Sequence, residues 1–229
     1  KSRLDAIDPS LYRDYLGIMA INDFMYFSME QMIEMMSQTG QGVAGKVELQ
    51  NNDDDDDDGG EEGEEKPDTK IVAFVHAETS TGALSDAKLL CEIANKHNCL
   101  TIVDAVTSLV GSELRVDDWG IDAIYSGSQK CLSAMPGLSP VSFSEKAVHK
   151  ISNRKTPVTS WFLDLNLVMG YWGKGSKRAY HHTAPVNTLY GLHESLVMLC
   201  EEGLENSWNR HQQNHQLLRD GLGELGISY

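Results

Sequence analysis

The chain has 229 residues, 41% of them hydrophobic, and a formal net charge of −15. That length suffices to bury one sizeable core. Ten acids stand in one short run, Asp53 to Asp58 with Glu61, Glu62, Glu64 and Glu65; setting those ten aside brings the charge from −15 to −5, with no basic stripe of the kind nucleic-acid binding needs.

Residues 9 to 38 carry Leu11, Tyr15, Ile18, Met19, Phe24, Phe27, Met32, Ile33 and Met36 with acids between them. This spacing predicts amphipathic helix, so residues 1–40 are expected to be a helical segment of unknown role. The first five residues, Lys1-Ser2-Arg3-Leu4-Asp5, are not a signal peptide, and no apolar run approaches the ~20 residues of a membrane helix. With no initiator Met, the sequence is expected to begin inside a longer product.

Residues 41–70 are Gly, Asp, Glu and Asn with a stop at Pro67. Such a block repels itself and buries too little apolar area to offset the entropy of ordering, so a disordered acidic linker is expected. It lacks the residue order of a calcium-binding loop.

From Lys70 onward the text changes. Ile71 to His76 is a short apolar run of the kind buried on both faces of a parallel sheet. A polar turn from Glu78 to Gly82 follows, and residues 84 to 98 place Leu84, Ala87, Leu90, Cys91 and Ala94 at helical spacing. A second strand, Leu100 to Val103, ends at Asp104. A third, Ile121 to Tyr125, runs into Ser126-Gly127-Ser128-Gln129-Lys130. Strands separated by crossovers imply an α/β unit, and in such sheets ligands collect at the carboxyl ends of the strands. Thr79, Asp104 and Lys130 each follow one of these three strands.

A fourth strand is expected around Ser139 to Phe143, a helix over 145–155, and two long helices over 186–202 and 203–225. Trp161, Trp172 and Trp208 are expected in the core rather than stacked on a ligand. His181 and His182 have no third ligand at metal spacing, so no metal is expected. Cys91, Cys99, Cys131 and Cys200 form no C-x-x-C pair and no framework spacing, which points to free thiols in a reducing compartment.

A Schiff-base lysine works from a partly desolvated strand end, where its amine is free to attack a carbonyl. Its cofactor, pyridoxal 5′-phosphate, needs a carboxylate that keeps the pyridine nitrogen protonated. Lys130 and Asp104 occupy strand ends one crossover unit apart, the setting such a pair requires.

Four segments then carry a resemblance: His76-Ala77-Glu78-Thr79-Ser80-Thr81-Gly82, Val103-Asp104-Ala105-Val106-Thr107-Ser108-Leu109, Tyr125-Ser126-Gly127-Ser128-Gln129-Lys130, and Tyr180-His181-His182-Thr183-Ala184-Pro185-Val186. In this order they resemble the class-V aminotransferases of the alanine–glyoxylate and serine–pyruvate type, over about residues 71–227. The resemblance implies the large-domain portion of the type I fold of pyridoxal-phosphate transferases across residues 71–229. Residues 1–70, helical and acidic, match nothing in it. It further implies that Lys130 is the catalytic Schiff-base lysine, Asp104 the pyridinium partner, Thr79 a neighbour of the ring hydroxyl and Gln129 a phosphate contact. Tyr180 and Thr183 would reach the phosphate of a neighbouring subunit's cofactor, which implies a homodimer.

The implied reaction is transamination between small amino-acid and 2-oxo-acid substrates, alanine or serine with glyoxylate or pyruvate, inside the cell. Peroxisome or mitochondrion is the implied address, with cytoplasm an alternative; the last residues, Ile227-Ser228-Tyr229, are no peroxisomal tripeptide. The family's glycine-rich phosphate turn, its ring-stacking aromatic and its substrate-gripping arginine have no counterpart in the text. A catalytically impaired product with an interaction role, or another class-V enzyme such as a 3-hydroxykynurenine transaminase, are the competing readings.

Overall fold

The computed structural model describes residues 45–46, 69–172 and 179–227. The helical segment expected over 1–40, and most of the linker expected over 41–70, lie outside the described residues. Among the described residues, five strands form one sheet in the order β1 (Gly45–Lys46), β2 (Ile71–Val75), β3 (Leu100–Asp104), β4 (Ala123–Tyr125) and β5 (Val141–Phe143). The first four run parallel and β5 runs antiparallel to β4. The two residues of β1 fall inside the expected linker, yet they pair with Val72 and Ala73 at the sheet edge.

Both faces of the sheet are covered, which is why its strands read as unbroken apolar runs rather than alternating ones. On one face Ile71, Ala73, Ile102, Ala123, Tyr125 and Val141 pack against Ala147 and Ile151 of α2 (Glu145–Ser152) and Leu165 and Val168 of α3 (Leu165–Trp172). On the other, Phe74, Val103 and Ile124 meet Ala87 and Cys91 of α1 (Ala87–Lys96), with Leu114, Val116 and Ile121 from the β3–β4 crossover. Successive strand residues point to opposite faces, so one period-2 pattern builds two cores.

The helix starts are chemically marked. Asp86 accepts the Leu89 N–H at 3.0 Å and opens α1, and Ser144 Oγ accepts the Ala147 N–H at 3.1 Å and opens α2. Each capping side chain supplies an acceptor to an otherwise orphaned donor of the first turn. The spacing starts the first helix near Leu84, but Leu84 bridges Ala77 and is 60% exposed, and the capping Asp86 sets the helix start at Ala87.

Two long helices, α4 (Val186–Glu202) and α5 (Leu204–Glu224), match their expected spans. Leu192 and Leu199 of α4 close a third cluster with Val110, Leu132 and Leu138. Ser207, buried at the base of α5, donates its hydroxyl to the Val110 carbonyl at 3.0 Å. Val110 has φ +76°, a left-handed conformation that a β-branched residue rarely adopts. No described helix is long and apolar enough to cross a membrane.

Candidate active site

Because β2, β3 and β4 run parallel, their carboxyl ends lie along one edge of the sheet. A cavity of about 290 Å³ opens there, lined by Val75 at the end of β2 with Ala77, Glu78 and Thr79 beyond it, Asp104 at the end of β3 with Val106 beyond it, Tyr125 at the end of β4 with Ser126 and Gly127 beyond it, and Ser139 before β5. Its size stands at the lower end of the ~300–1,000 Å³ of small-molecule sites.

Thr79 reaches the cavity from a tight turn. Glu78 N–H donates to the Ala83 carbonyl at 2.9 Å, and the Gly82 N–H returns to the Glu78 carbonyl at 2.9 Å. Gly82 sits at φ +74°, where a glycine carries no steric penalty. The Glu78 carboxylate turns inward on the loop and accepts from the Ser80 N–H and hydroxyl at 3.0 and 2.8 Å.

Asp104 is half-buried, and both of its carboxylate oxygens are hydrogen-bonded. Its Oδ1 accepts the Val106 N–H at 2.8 Å and its Oδ2 accepts the Tyr125 hydroxyl at 2.6 Å. The β3–β4 register sets Asp104 directly beside Tyr125, on the same face of adjacent strands. Sequence reading singled out Asp104 but not Tyr125. The available signal was that both residues end strands, and it becomes informative only once the register is known.

Lys130 is not among the residues that line the cavity, and it is exposed. Strand β4 ends at Tyr125, and the chain crosses Ser126 and Gly127 on the cavity wall before it bends at Gln129 and Lys130. Ladder bonds continue past the strand, Ser126 N–H to the Pro140 carbonyl at 2.9 Å and Ser128 N–H to the Leu138 carbonyl at 3.0 Å, so Lys130 sits near the tip of a hairpin whose base is the cavity wall. Its four-carbon stem is long and flexible.

Gln129 folds back on Gly127, where an added Cβ would meet its Oε1 at 2.7 Å; the Oε1 is buried without a hydrogen-bond partner. Tyr180 and Thr183 come together through a 2.6 Å contact between their hydroxyls, both residues exposed and neither on the cavity wall. The structure therefore gathers Thr79 and Asp104 in one cavity, leaves Gln129 and Lys130 on the hairpin that continues its wall, and sets Tyr180 and Thr183 on a separate surface.

That surface corrects one expectation. Trp161 is 58% exposed rather than part of the core, and it stacks on the His181 ring at 4.1 Å between centroids. His181 in turn meets His182 through their Nδ1 atoms at 2.6 Å. Desolvation, and after it the neighbouring His181, push the His182 imidazole below the usual histidine range. Among the described residues no cluster of His, Cys, Asp or Glu could hold a metal ion. Trp208 is half-buried under the Arg115 guanidinium, 5.4 Å from its ring centre.

The donor set fits pyridoxal phosphate in part. Asp104 offers a carboxylate fixed by two donors and open to the cavity, and Val75, Ala77 and Val106 offer apolar surface for a flat ring; the unpartnered Gln129 atom is the acceptor Oε1, which does not suit a phosphate. Sequence and structure comparisons agree with this chemistry. The family model described as aminotransferase class-V matches residues 47–228, reaching further toward the N-terminus than the motifs did. An alanine–glyoxylate aminotransferase of Oryctolagus cuniculus is 46% identical over 158 residues, 69% of this chain and 40% of the relative. A (S)-ureidoglycine–glyoxylate transaminase of Bacillus subtilis is 36% identical over 181 residues, 71% of this chain and 43% of the relative. Among solved structures, an alanine–glyoxylate aminotransferase from Nostoc sp. superposes with a TM-score of 0.66 at 46% identity, covering 69% of this chain and 41% of that one. The chain thus spans about 40% of the length of the curated relatives it matches.

Proposed function

The chain belongs to the class-V aminotransferase family, and from that premise we propose that it binds pyridoxal phosphate in the Asp104 cavity and takes part in amino-group transfer between a small amino acid and a 2-oxo acid. Alanine or serine is the donor and glyoxylate or pyruvate the acceptor; glyoxylate appears in the names of the similar mammalian and bacterial enzymes. The observation that carries this reading is the Asp104 carboxylate, held by two donors at the carboxyl end of β3 and facing the 290 Å³ cavity.

When bound, the cofactor supplies an electron sink for charge developing at the substrate Cα. Asp104 would hold the ring-nitrogen proton, since a carboxylate beside a cation stabilises its charged form. Thr79 would donate toward the ring hydroxyl from the β2 turn. Gln129 would offer its amide N–H to the phosphate. Lys130 would hold the cofactor through its side-chain amine and would serve as the base that moves a proton at the substrate Cα. The exposed Tyr180 and Thr183 hydroxyls serve the cofactor phosphate of a second copy, which makes the working unit a homodimer. Residues 71–229 are the catalytic portion. Four unbonded cysteines support a reducing compartment inside the cell, and the family resemblance favours peroxisome or mitochondrion.

Borohydride reduction of the chain mixed with pyridoxal phosphate tests the assignment. The expected result is a single covalent adduct, mapped by mass spectrometry to the peptide containing Lys130, with loss of adduct and of visible absorption in Lys130→Ala. An adduct spread over other lysines, or none at all, overturns it.

A further inference from the structure

We propose that Tyr125 is a positioning residue that fixes the Asp104 carboxylate for its partner ring nitrogen. The inference rests on the reading of Asp104 given above. Tyr125 is 6% exposed, and its ring is packed in the core with Ile102, Ala123 and Val141, so the phenol has little freedom to reorient. Its hydroxyl stands 2.6 Å from Asp104 Oδ2. A phenol beside a carboxylate has one role, donor, because the carboxylate only accepts.

The second support is independent of the first. The Val106 N–H holds Oδ1 at 2.8 Å, two residues along the same strand exit. Donors on both oxygens set the plane of the carboxylate, one from the backbone and one from the neighbouring strand. Each oxygen keeps a further lone pair, and Asp104 is part of the cavity wall. A carboxylate already oriented loses less freedom when a ligand cation meets it, which is the general advantage of preorganisation. The backbone donor cannot be removed by mutation, but the tyrosine donor can.

The experiment is a two-by-two comparison of equilibrium binding in the full 229-residue chain, followed by tryptophan fluorescence. Wild type and Tyr125→Phe are each titrated with pyridoxal phosphate and with its 1-deaza analogue, which keeps the aldehyde and phosphate but has carbon in place of the ring nitrogen. We expect wild type to prefer the natural cofactor, and Tyr125→Phe to reduce that preference about tenfold, the effect of one hydrogen bond to a charged group, while binding of the deaza analogue stays unchanged. Thermal melting checks that the variant folds. If the phenylalanine variant does not fold, Tyr125→Leu also removes the hydroxyl and suits the apolar surroundings. An unchanged preference in the hydroxyl-free variant overturns the role of Tyr125 and leaves the Asp104 reading standing. No preference in wild type, or no binding of either compound, overturns the Asp104 reading and the inference with it.

Discussion

Asp122 and Thr101 exchange two hydrogen bonds across β3 and β4: the Asp122 N–H donates to Thr101 Oγ1 at 2.9 Å, and the Thr101 N–H donates to Asp122 Oδ2 at 3.1 Å. Both residues are buried. The other carboxylate oxygen accepts the Ser144 hydroxyl at 2.7 Å, and that same hydroxyl oxygen caps α2. Lys146 approaches Oδ2 at 3.6 Å. One carboxylate therefore joins the amino end of β3, the entry to β4 and the first turn of α2. Replacing Asp122 with Ala leaves the buried Thr101 donor without its acceptor and frees the cap, and is expected to cost about 2–4 kcal/mol of stability. Urea denaturation with an unchanged m-value checks this; a loss below ~1 kcal/mol would show that water or relaxation replaces the carboxylate.

Val110 inverts an ordinary ranking. At φ +76° its Cβ is strained, while its side chain contributes to the cluster around Leu192 and Leu199. Glycine usually costs more stability than alanine, but here it alone releases the backbone. Val110→Gly is expected to be more stable than Val110→Ala by about 1 kcal/mol. Paired melting curves decide it, and the opposite order would place the residue outside the left-handed region in solution.

His76 sets an acid limit. It is buried with an unpartnered Nδ1, edge-on to Trp119 at 6.1 Å, and desolvation pushes its imidazole below the usual histidine range. The unfolded chain takes up a proton near pH ~6.5 whereas the folded chain resists it, so this contribution to stability is complete above about 6.5 and is lost as pH falls toward the folded value. The slope is at most ~1.4 kcal/mol per pH unit. His76→Gln should flatten the stability profile over that window; a profile that keeps its slope assigns the effect to another group.

Thiol labelling should follow burial. Cys91 is fully buried and its thiol is pushed up to about 11, chiefly by desolvation, so at neutral pH it carries almost no thiolate. Cys131 and Cys200 are only half-buried. Iodoacetamide is expected to modify Cys200 and Cys131 first, and Cys91 only at the rate of global unfolding. Early modification of Cys91 in folded protein would contradict the packing of α1 on the sheet.

Thr79 and Asp104 are legible as neighbours from residue order because parallel strands put their ends on one edge. Asp104 needed only the end of an apolar run and a following crossover to be placed. Lys130 is harder: the third apolar run ends at Tyr125 as its residues suggest, but the five residues that follow do not say that ladder bonds continue through Ser126 and Ser128 and carry Lys130 out to a hairpin tip. Tyr125 was read as a strand residue, since its contact with Asp104 depends on register between chain segments 21 residues apart. Helix α3 went unread because its eight residues show only Leu165 and Val168 as fully buried anchors, too few for a period to stand out. Trp161 was misplaced for a different reason: an aromatic ring needs a cover, and hydrophobicity does not reveal that the cover is the flat face of His181.

The Ser207–Val110 hydrogen bond spans 97 residues of chain, and this imposes a timetable on synthesis. The two cores that sandwich the sheet draw only on residues between Ile71 and Val168, so they are complete as soon as that stretch leaves the ribosome. The bend at Val110 is by then already part of the β3–β4 crossover, strained and lacking its last partner, until α5 emerges and its buried serine arrives. Loop closure over such a length adds only slowly to the entropy cost, so the long separation is itself a small obstacle to the contact. A nascent chain halted before Ser207 would hold a finished sheet with an unlatched crossover.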